Sequence, residues 1–286
     1  RGEFLVPWLN GEPYSHKPPL FFWLIHAGWW LFGVNEWWPR CVAALLSLAV
    51  LLAVSQLARL LWPGDRVTPR LVPWVLFGFV FWSAFYTWVQ IDMLVVLATV
   101  LAMTGLVLAG RGRTTGWLLC GAAIGVGALS KGPVILLHVL PVALLAPMWL
   151  DAQTGPAWRA WYVGLLASVA TGAAIGLAWA IPAAVAGGEA YAQAILWGQT
   201  AERLVDSFAH AQPWWWYLPW LPLLAAPWIL RPWLWRHLWR RPRDAGERFS
   251  LVWLLAVIAL ASVVSGKQAK YLLPVLPAIA LLVTHA

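Results

Sequence analysis

Apolar residues in this chain come in long runs, broken by short polar turns, rather than as one stripe per helix or in alternation. A bilayer-crossing helix needs about 20 mostly apolar residues. Runs of that order are read at 40–61, 71–90, 93–109, 161–185 and 214–230. Shorter ones lie at 117–129 and 134–150, either side of Ser130-Lys131-Gly132-Pro133, and at 249–264 and 271–283, either side of residues 265–270. This pattern predicts an all-α polytopic membrane protein of roughly nine spans. Leu20–Phe32 is too short for a span and carries Phe21, Phe22, Trp29 and Trp30, so it reads as an interfacial or re-entrant helix.

Composition agrees. The chain is 62% hydrophobic and 10% charged, whereas soluble domains carry roughly 25% charged residues. Its 25 tryptophans suit membrane interfaces. The net charge of +8 would suggest nucleic acid in a soluble protein. Here the basic residues sit in short turns between apolar runs, a topology signal instead. Cys41 and Cys120 lie inside apolar runs and imply no disulfide framework. The chain opens on Arg1-Gly2-Glu3 and stops after an apolar run, so it is expected to be a piece of a longer membrane protein.

Alternating the runs sorts the charges onto two faces. One holds Arg59, Arg66, Arg70, Arg111, Arg113, Arg159, Arg231, Arg236, Arg240, Arg241, Arg243 and Arg248. The other holds Arg1, Lys17, Arg40, Lys131, Arg203, Lys267 and Lys270. The arginine-rich face is expected to be cytoplasmic. The outer face carries all the lysines, most of the acids and the longest irregular loop, 187–212, so chemistry is expected there.

Several outer positions have a structural and a functional reading. Asp92 follows one apolar run and opens the next. It is either a helix N-cap or a carboxylate lining a cavity, since an acid at such depth is rare without a polar partner. Lys131 is either a snorkelling lysine or a cation facing a phosphate. In Tyr14-Ser15-His16-Lys17-Pro18-Pro19 the prolines stiffen the exit from the loop, and Lys17 is an interfacial anchor or a lipid-phosphate contact. Arg203 is paired with its neighbour Glu202 or clamps a phosphate. Lys267 and Lys270 lie about one helical turn apart. His16 and His210 form a candidate pair for a divalent metal, and no cofactor motif is present. No Walker A or Gly-rich nucleotide loop is present, which argues against a primary pump, and a donor already activated as a lipid phosphate would need none.

Six stretches together resemble a known family. They are Phe4 to Tyr14 running into Lys17-Pro18-Pro19-Leu20, Glu36 to Arg40, Asp92-Met93-Leu94, Leu129 to Pro133, His210 to Pro219, and Ser265 to Pro277. They resemble the bacterial aminoarabinose transferases and related dolichyl-phosphate-mannose-protein mannosyltransferases, over essentially the whole chain. The resemblance implies a GT-C glycosyltransferase fold in which 1–286 is one transmembrane domain, 1–39 an outer loop with the interfacial helix, and 187–212 a second outer loop. It implies transfer of a sugar from a polyprenyl phosphate to a lipid A-like or protein acceptor, at the periplasmic face of the bacterial inner membrane. It also implies that an acidic pair, expected upstream of Arg1, supplies the base. Lys17 and Arg203, with Lys131, would contact the donor phosphate, and Asp92 would be a second essential carboxylate. Tyr14, His16, Glu36, Arg40, His210, Lys267, Lys270 and Tyr271 would line the substrate cavity. Two positions depart from the family pattern. His16 stands where the aminoarabinose enzymes usually carry Glu, and residues 197–200 lack the usual His. A transporter or flippase for a lipid-linked anion is the competing class, but it would call for pseudo-symmetric halves and charges near mid-span.

Overall fold

The computed structural model describes residues 3–151, 155–196, 211–232, 234 and 243–286. Its first feature is a small antiparallel hairpin, β1 (Trp8–Leu9) with β2 (Glu12–Pro13), pairing Trp8 with Pro13 and Leu9 with Glu12. The tight turn follows from Asn10-Gly11, both at positive φ (54° and 88°). Asn-Gly is the residue pair that a two-residue primed turn demands.

α1 (Leu20–Phe32) starts directly after the two prolines, and the carbonyl of Pro19 accepts from the N–H of Trp23 at 2.9 Å. It folds back onto α2 (Trp37–Leu61) through a turn set by Asn35, whose side chain accepts from the N–H of Trp38. The Trp38 indole occupies the space a side chain at position 28 would fill, so Gly28 is what lets the hairpin close.

The bundle centres on α5 (Asp92–Gly110), where 83% of the apolar window is buried. α6 (Thr115–Lys131) runs antiparallel beside it and α8 (Trp158–Gly187) parallel to α6 on the other side. Both contacts rest on small residues. A Cβ at Gly116 would lie 2.4 Å from the backbone nitrogen of Ala109, and one at Gly105 would lie 2.7 Å from that of Cys120. On the other face Gly121, Gly125 and Gly172 interlock with Thr171, Ile175 and Ile124. Lipid gives helices no hydrophobic reason to associate, so close backbone approach at small residues supplies the contact. α8 is only 22% buried over its apolar window and presents Val163, Leu166, Ile181 and Val185 outward, the surface of a lipid-facing helix.

Among the described residues, five helical stretches are long and apolar enough to cross a membrane, namely α2, α5, Thr115–Leu144, α8 and α11 (Ala245–Val263). This is a multi-pass membrane protein. Within Thr115–Leu144 the chain turns at Gly132 (φ 73°), and α7 (Ile135–Leu144) folds back so that Ile135 meets Gly127 of α6. The expected spans at 71–90 and 214–230 are each broken. The first is α3 (Thr68–Phe77) and α4 (Val80–Phe85), with Pro73 inside α3 and an extended Phe79 between them. In the second, short 3₁₀ turns flank α10 (Trp220–Leu224), while α9 (Glu189–Gln193) follows α8. The breaks satisfy one another: Val80 N–H donates to the carbonyl of Ala226, and the Trp228 indole N–H to that of Val75. Irregular backbone at membrane depth is tolerated only where protein supplies such partners. The final run is likewise split, a 3₁₀ segment (Ala269–Val275) leading into α12 (Leu276–His285).

Gly116→Val should part α5 from α6, because the atoms in its way are backbone. Overpacking costs roughly 1–3 kcal/mol where side chains can yield, so the upper end of that range is expected. A lowered midpoint in a thermal or denaturant melt of the detergent-solubilised protein checks it, and Leu118→Val on the exposed face of α6 serves as the neutral control.

Candidate functional site

α5 begins where α6 ends, so Asp92 and Lys131 meet at one end of the bundle. The Lys131 ammonium lies 2.6 Å from Asp92 Oδ1, with the two side chains 16% and 8% exposed. Asp92 belongs to the first turn of α5, where the helix dipole favours a negative charge. It is not an N-cap: the cap residue is Ile91, and no side chain accepts there. Its polar partner is Lys131, supplied by the neighbouring helix.

The same ammonium stands 4.3 Å from the centre of the Tyr271 ring. Tyr271 arrives on the 3₁₀ segment 269–275, which packs against α5. A carboxylate, a lysine and the face of a tyrosine thus share one half-buried spot. Breaking the residue 265–270 turn away would remove the ring from over the lysine.

The opening loop docks at this end. Val6 packs in a small apolar cluster with Trp179, Ala183 and Tyr191, joined by Trp23 and by Leu129, two residues before Lys131. Indole N–H groups pin its backbone: Trp23 donates to the Phe4 carbonyl at 2.8 Å and Trp179 to that of Leu5 at 2.9 Å. Tyr14 packs edge-on against His16 (5.4 Å between ring centres) and Phe22 (6.1 Å). Lys17 is half-buried, His16 exposed. Glu36 and Arg40, at the start of α2, are both exposed.

Lys267 has a structural job. Its ammonium donates to the carbonyls of Gln212 (2.9 Å) and Val264 (2.6 Å), and it is buried to 3% exposure. Desolvation pushes it below the ordinary lysine value. It ties residues 264–266 to the segment at 211–212, where Ala211 bridges Gly266. Lys270 is half-buried beside it. Arg203, His210 and most of the loop at 187–212 lie outside the described residues.

Two features escaped the sequence reading. His138 of α7 is buried, with no partner for Nδ1 among the described residues, and it sits within the fields of Lys131 and Asp92. A histidine inside an apolar run was the available signal. The second is a cluster at the opposite end of the bundle. There the His285 ring stacks on Trp62 (4.0 Å, 17°) and approaches Asp244 Oδ2 (3.0 Å) and Asp65 Oδ2 (3.5 Å). Asp244 also accepts from the Trp62 indole and caps α11 through the N–H of Glu247. Desolvation raises Asp244, but those donors and His285 outweigh it and leave the carboxyl below its usual range. Ligand atoms of Asp244, Glu247 and His285 lie within 4.8 Å of one another, the one metal-competent grouping among the described residues. The Asp244 and Asp65 carboxylates and the imidazole already serve as a clasp joining α2, α11 and α12. Nothing in local sequence says that three distant turns converge there.

With this geometry in place, likeness to known proteins is informative. Residues 16–185 match the family model described as dolichyl-phosphate-mannose-protein mannosyltransferase. An undecaprenyl phosphate-alpha-4-amino-4-deoxy-L-arabinose arabinosyl transferase of Pseudomonas aeruginosa (strain UCBPP-PA14) is 31% identical, over 100% of this chain and 52% of its own length. A Pseudomonas fluorescens (strain Pf0-1) transferase of the same description is 30% identical, over 98% of this chain and 50% of its own. The chain therefore spans about half the length of these curated relatives. Among solved structures, ArnT from Cupriavidus metallidurans bound to undecaprenyl phosphate aligns with a TM-score of 0.81 at 23% identity, covering 99% of this chain and 52% of that one. Its apo state gives 0.79. The chain belongs to the dolichyl-phosphate-mannose-protein mannosyltransferase family and shares the helical membrane fold of ArnT.

Breaking a buried pair by removing one partner costs roughly 3–5 kcal/mol, while removing both is often nearly neutral. Asp92→Leu or Lys131→Met alone should therefore lower stability more than the Asp92→Leu/Lys131→Met double variant. Denaturation of all four proteins in one double-mutant cycle reads this. Additive effects would mean the pair is not coupled.

Proposed function

We propose that this chain forms the membrane-embedded donor site of a glycosyltransferase that moves a sugar, of the aminoarabinose class or a close relative, from a polyprenyl phosphate to a lipid A-like acceptor. The observation that carries the reading is the buried Asp92–Lys131 pair beneath Tyr271, at the end of the bundle where the Lys17 loop docks. Membership of a family of lipid-phosphate-sugar transferases and the arabinosyl transferase relatives support it. The arginine-rich opposite end supports an inner-membrane orientation with this site on the periplasmic side.

In the reaction the acceptor hydroxyl oxygen attacks the anomeric carbon of the donor sugar. The bond from that carbon to the phosphate oxygen breaks, and the polyprenyl phosphate departs with the electron pair. The hydroxyl proton passes to a carboxylate base. Lys17 and Arg203 take the phosphate charge that grows on the leaving group. Lys131 is already engaged by Asp92, so its part is to hold that carboxylate in register beside the phosphate rather than to be the main phosphate contact. Asp92 in turn orients the polar face of the cavity. Tyr14, His16, Lys270 and Tyr271 bound the space in which sugar and acceptor meet. The half-buried setting of Lys17 and Lys131 strengthens their charges relative to water.

Lys17→Ala in the full-length protein should lower sugar transfer in a membrane assay by about 100-fold or more, the order seen when one stabilising donor is removed. Expression and membrane insertion should stay unchanged. Full activity in that variant would sink the phosphate-contact role. Loss of transfer together with an unchanged KM for the lipid donor would place Lys17 in transition-state stabilisation rather than in donor binding.

A further inference from the structure

A groove of about 440 Å³ runs along the outside of α11 and is lined by none of the residues of the Asp92 site. One wall is a single stripe of α11: Leu251, Val252, Leu255, Ala256 and Ala259. Leu145 and Met148, just beyond α7, form the other. Leu255, Met148 and Leu145 are 61%, 58% and 38% exposed, so the groove opens on the outer surface of the described bundle. Its polar end carries Arg243 and Arg248, at the arginine-rich end of the bundle.

The length of the groove selects its occupant. From Arg248 to Ala259 a helix rises about 16 Å, close to half of the roughly 30 Å hydrocarbon core. A second spanning helix would call for a groove twice as long. One acyl chain of one leaflet fits, with its headgroup level with the arginines. The alanines leave a shallow floor that a flexible chain can fill, and two guanidiniums suit a phosphate. Basic pockets between helices at this membrane face are where anionic headgroups lodge.

We propose that this groove is a binding site for an anionic glycerophospholipid, with its phosphate between Arg243 and Arg248 and one acyl chain along α11 to Ala259. Asp151 is part of the arrangement. It accepts from Arg248 at 2.5 Å and is 57% exposed, so it competes with the lipid phosphate for that guanidinium. The site is independent of the sugar-transfer reading and would hold even if that reading failed.

Native mass spectrometry of the full-length protein in detergent, titrated with phosphatidylglycerol or phosphatidylcholine of identical acyl chains, tests it. Each arginine near a headgroup contributes roughly five-fold in affinity, so phosphatidylglycerol should bind about 10-fold more tightly or better. Arg243→Ala/Arg248→Ala should erase that preference. Asp151→Asn should increase it, which keeps the proposal testable if the double variant folds poorly. Ala256→Leu should weaken both lipids alike by filling the floor. Equal binding of the two lipids by the wild type, or a preference unmoved by both the arginine and the Asp151 variants, would overturn the proposal. So would a photo-crosslinker at position 259 that captures a segment of the protein's own chain instead of lipid.

Discussion

The backbone contact between α5 and α6 is the constraint on which the rest of the structure depends. Gly105 faces Gly116 and Cys120 with no room for a side chain between them. Asp92 lies thirteen residues before Gly105, and Lys131 eleven to fifteen residues after Cys120 and Gly116. At 1.5 Å per residue both arms are about 20 Å long, so an antiparallel pair in this register brings the carboxylate and the ammonium to the same height. The 2.6 Å ion pair is the consequence. A register shift of one turn would move the charges about 5 Å apart and leave each uncompensated in an apolar surround. The small residues set the geometry, and the charges penalise any other.

A pair so placed adds little to stability against a well-packed apolar substitute, because desolvating two ions offsets much of their attraction. Its retention makes better sense as an electrostatic fixture. Lys131 gives the carboxylate a partner at 2.6 Å, and the Tyr271 ring lies 4.3 Å from the same ammonium. That ring is delivered by a 3₁₀ segment whose approach is fixed by Lys267, bonded to two carbonyls on either side of the turn. One lysine thus organises backbone so that another can organise the site. Residue type alone does not assign these jobs: the sequence reading made Lys131 a donor-phosphate contact and Lys267 a cavity-lining residue.

What the sequence disclosed is what depends on local composition. α1, α2, α5, α6, α8 and α11 begin and end within a few residues of the apolar runs, since apolar length alone decides whether a helix can sit in lipid. The turn at Lys131-Gly132-Pro133 was legible for the same reason: Gly132 adopts φ 73°, which other residues rarely do. The end-sorting of Asp92 and Lys131 followed from counting crossings. Their direct contact did not, because inter-helix register depends on which glycines face which neighbour. The same limit hid the Asp65, Asp244 and His285 clasp, in which Asp65 lies far along the chain from both partners and Asp244 lies 41 residues from His285.

The runs at 71–90 and 214–230 show where apolar length stops being a guide. Each is hydrophobic enough to span, yet Pro73 and Gly78 in one, and Pro219, Pro222 and Pro227 in the other, leave carbonyl and N–H groups that no single helix can satisfy. In lipid an orphaned group of this kind costs several kcal/mol, so an isolated broken run would be untenable. The two runs lie against each other instead, with Ala226 accepting from Val80 and Val75 from the Trp228 indole, and Gly78 gives the Trp228 ring room to lie flat. Neither break is stable without the other. A pair of imperfect helices with matched defects is therefore one structural unit, and the tryptophans in it act as hydrogen-bond donors to broken backbone as much as interfacial anchors. The same device pins the opening loop through Trp23 and Trp179. The high tryptophan content thus has a second explanation beyond the membrane interface: indole N–H groups bond the irregular backbone that a site at the end of a membrane bundle cannot do without.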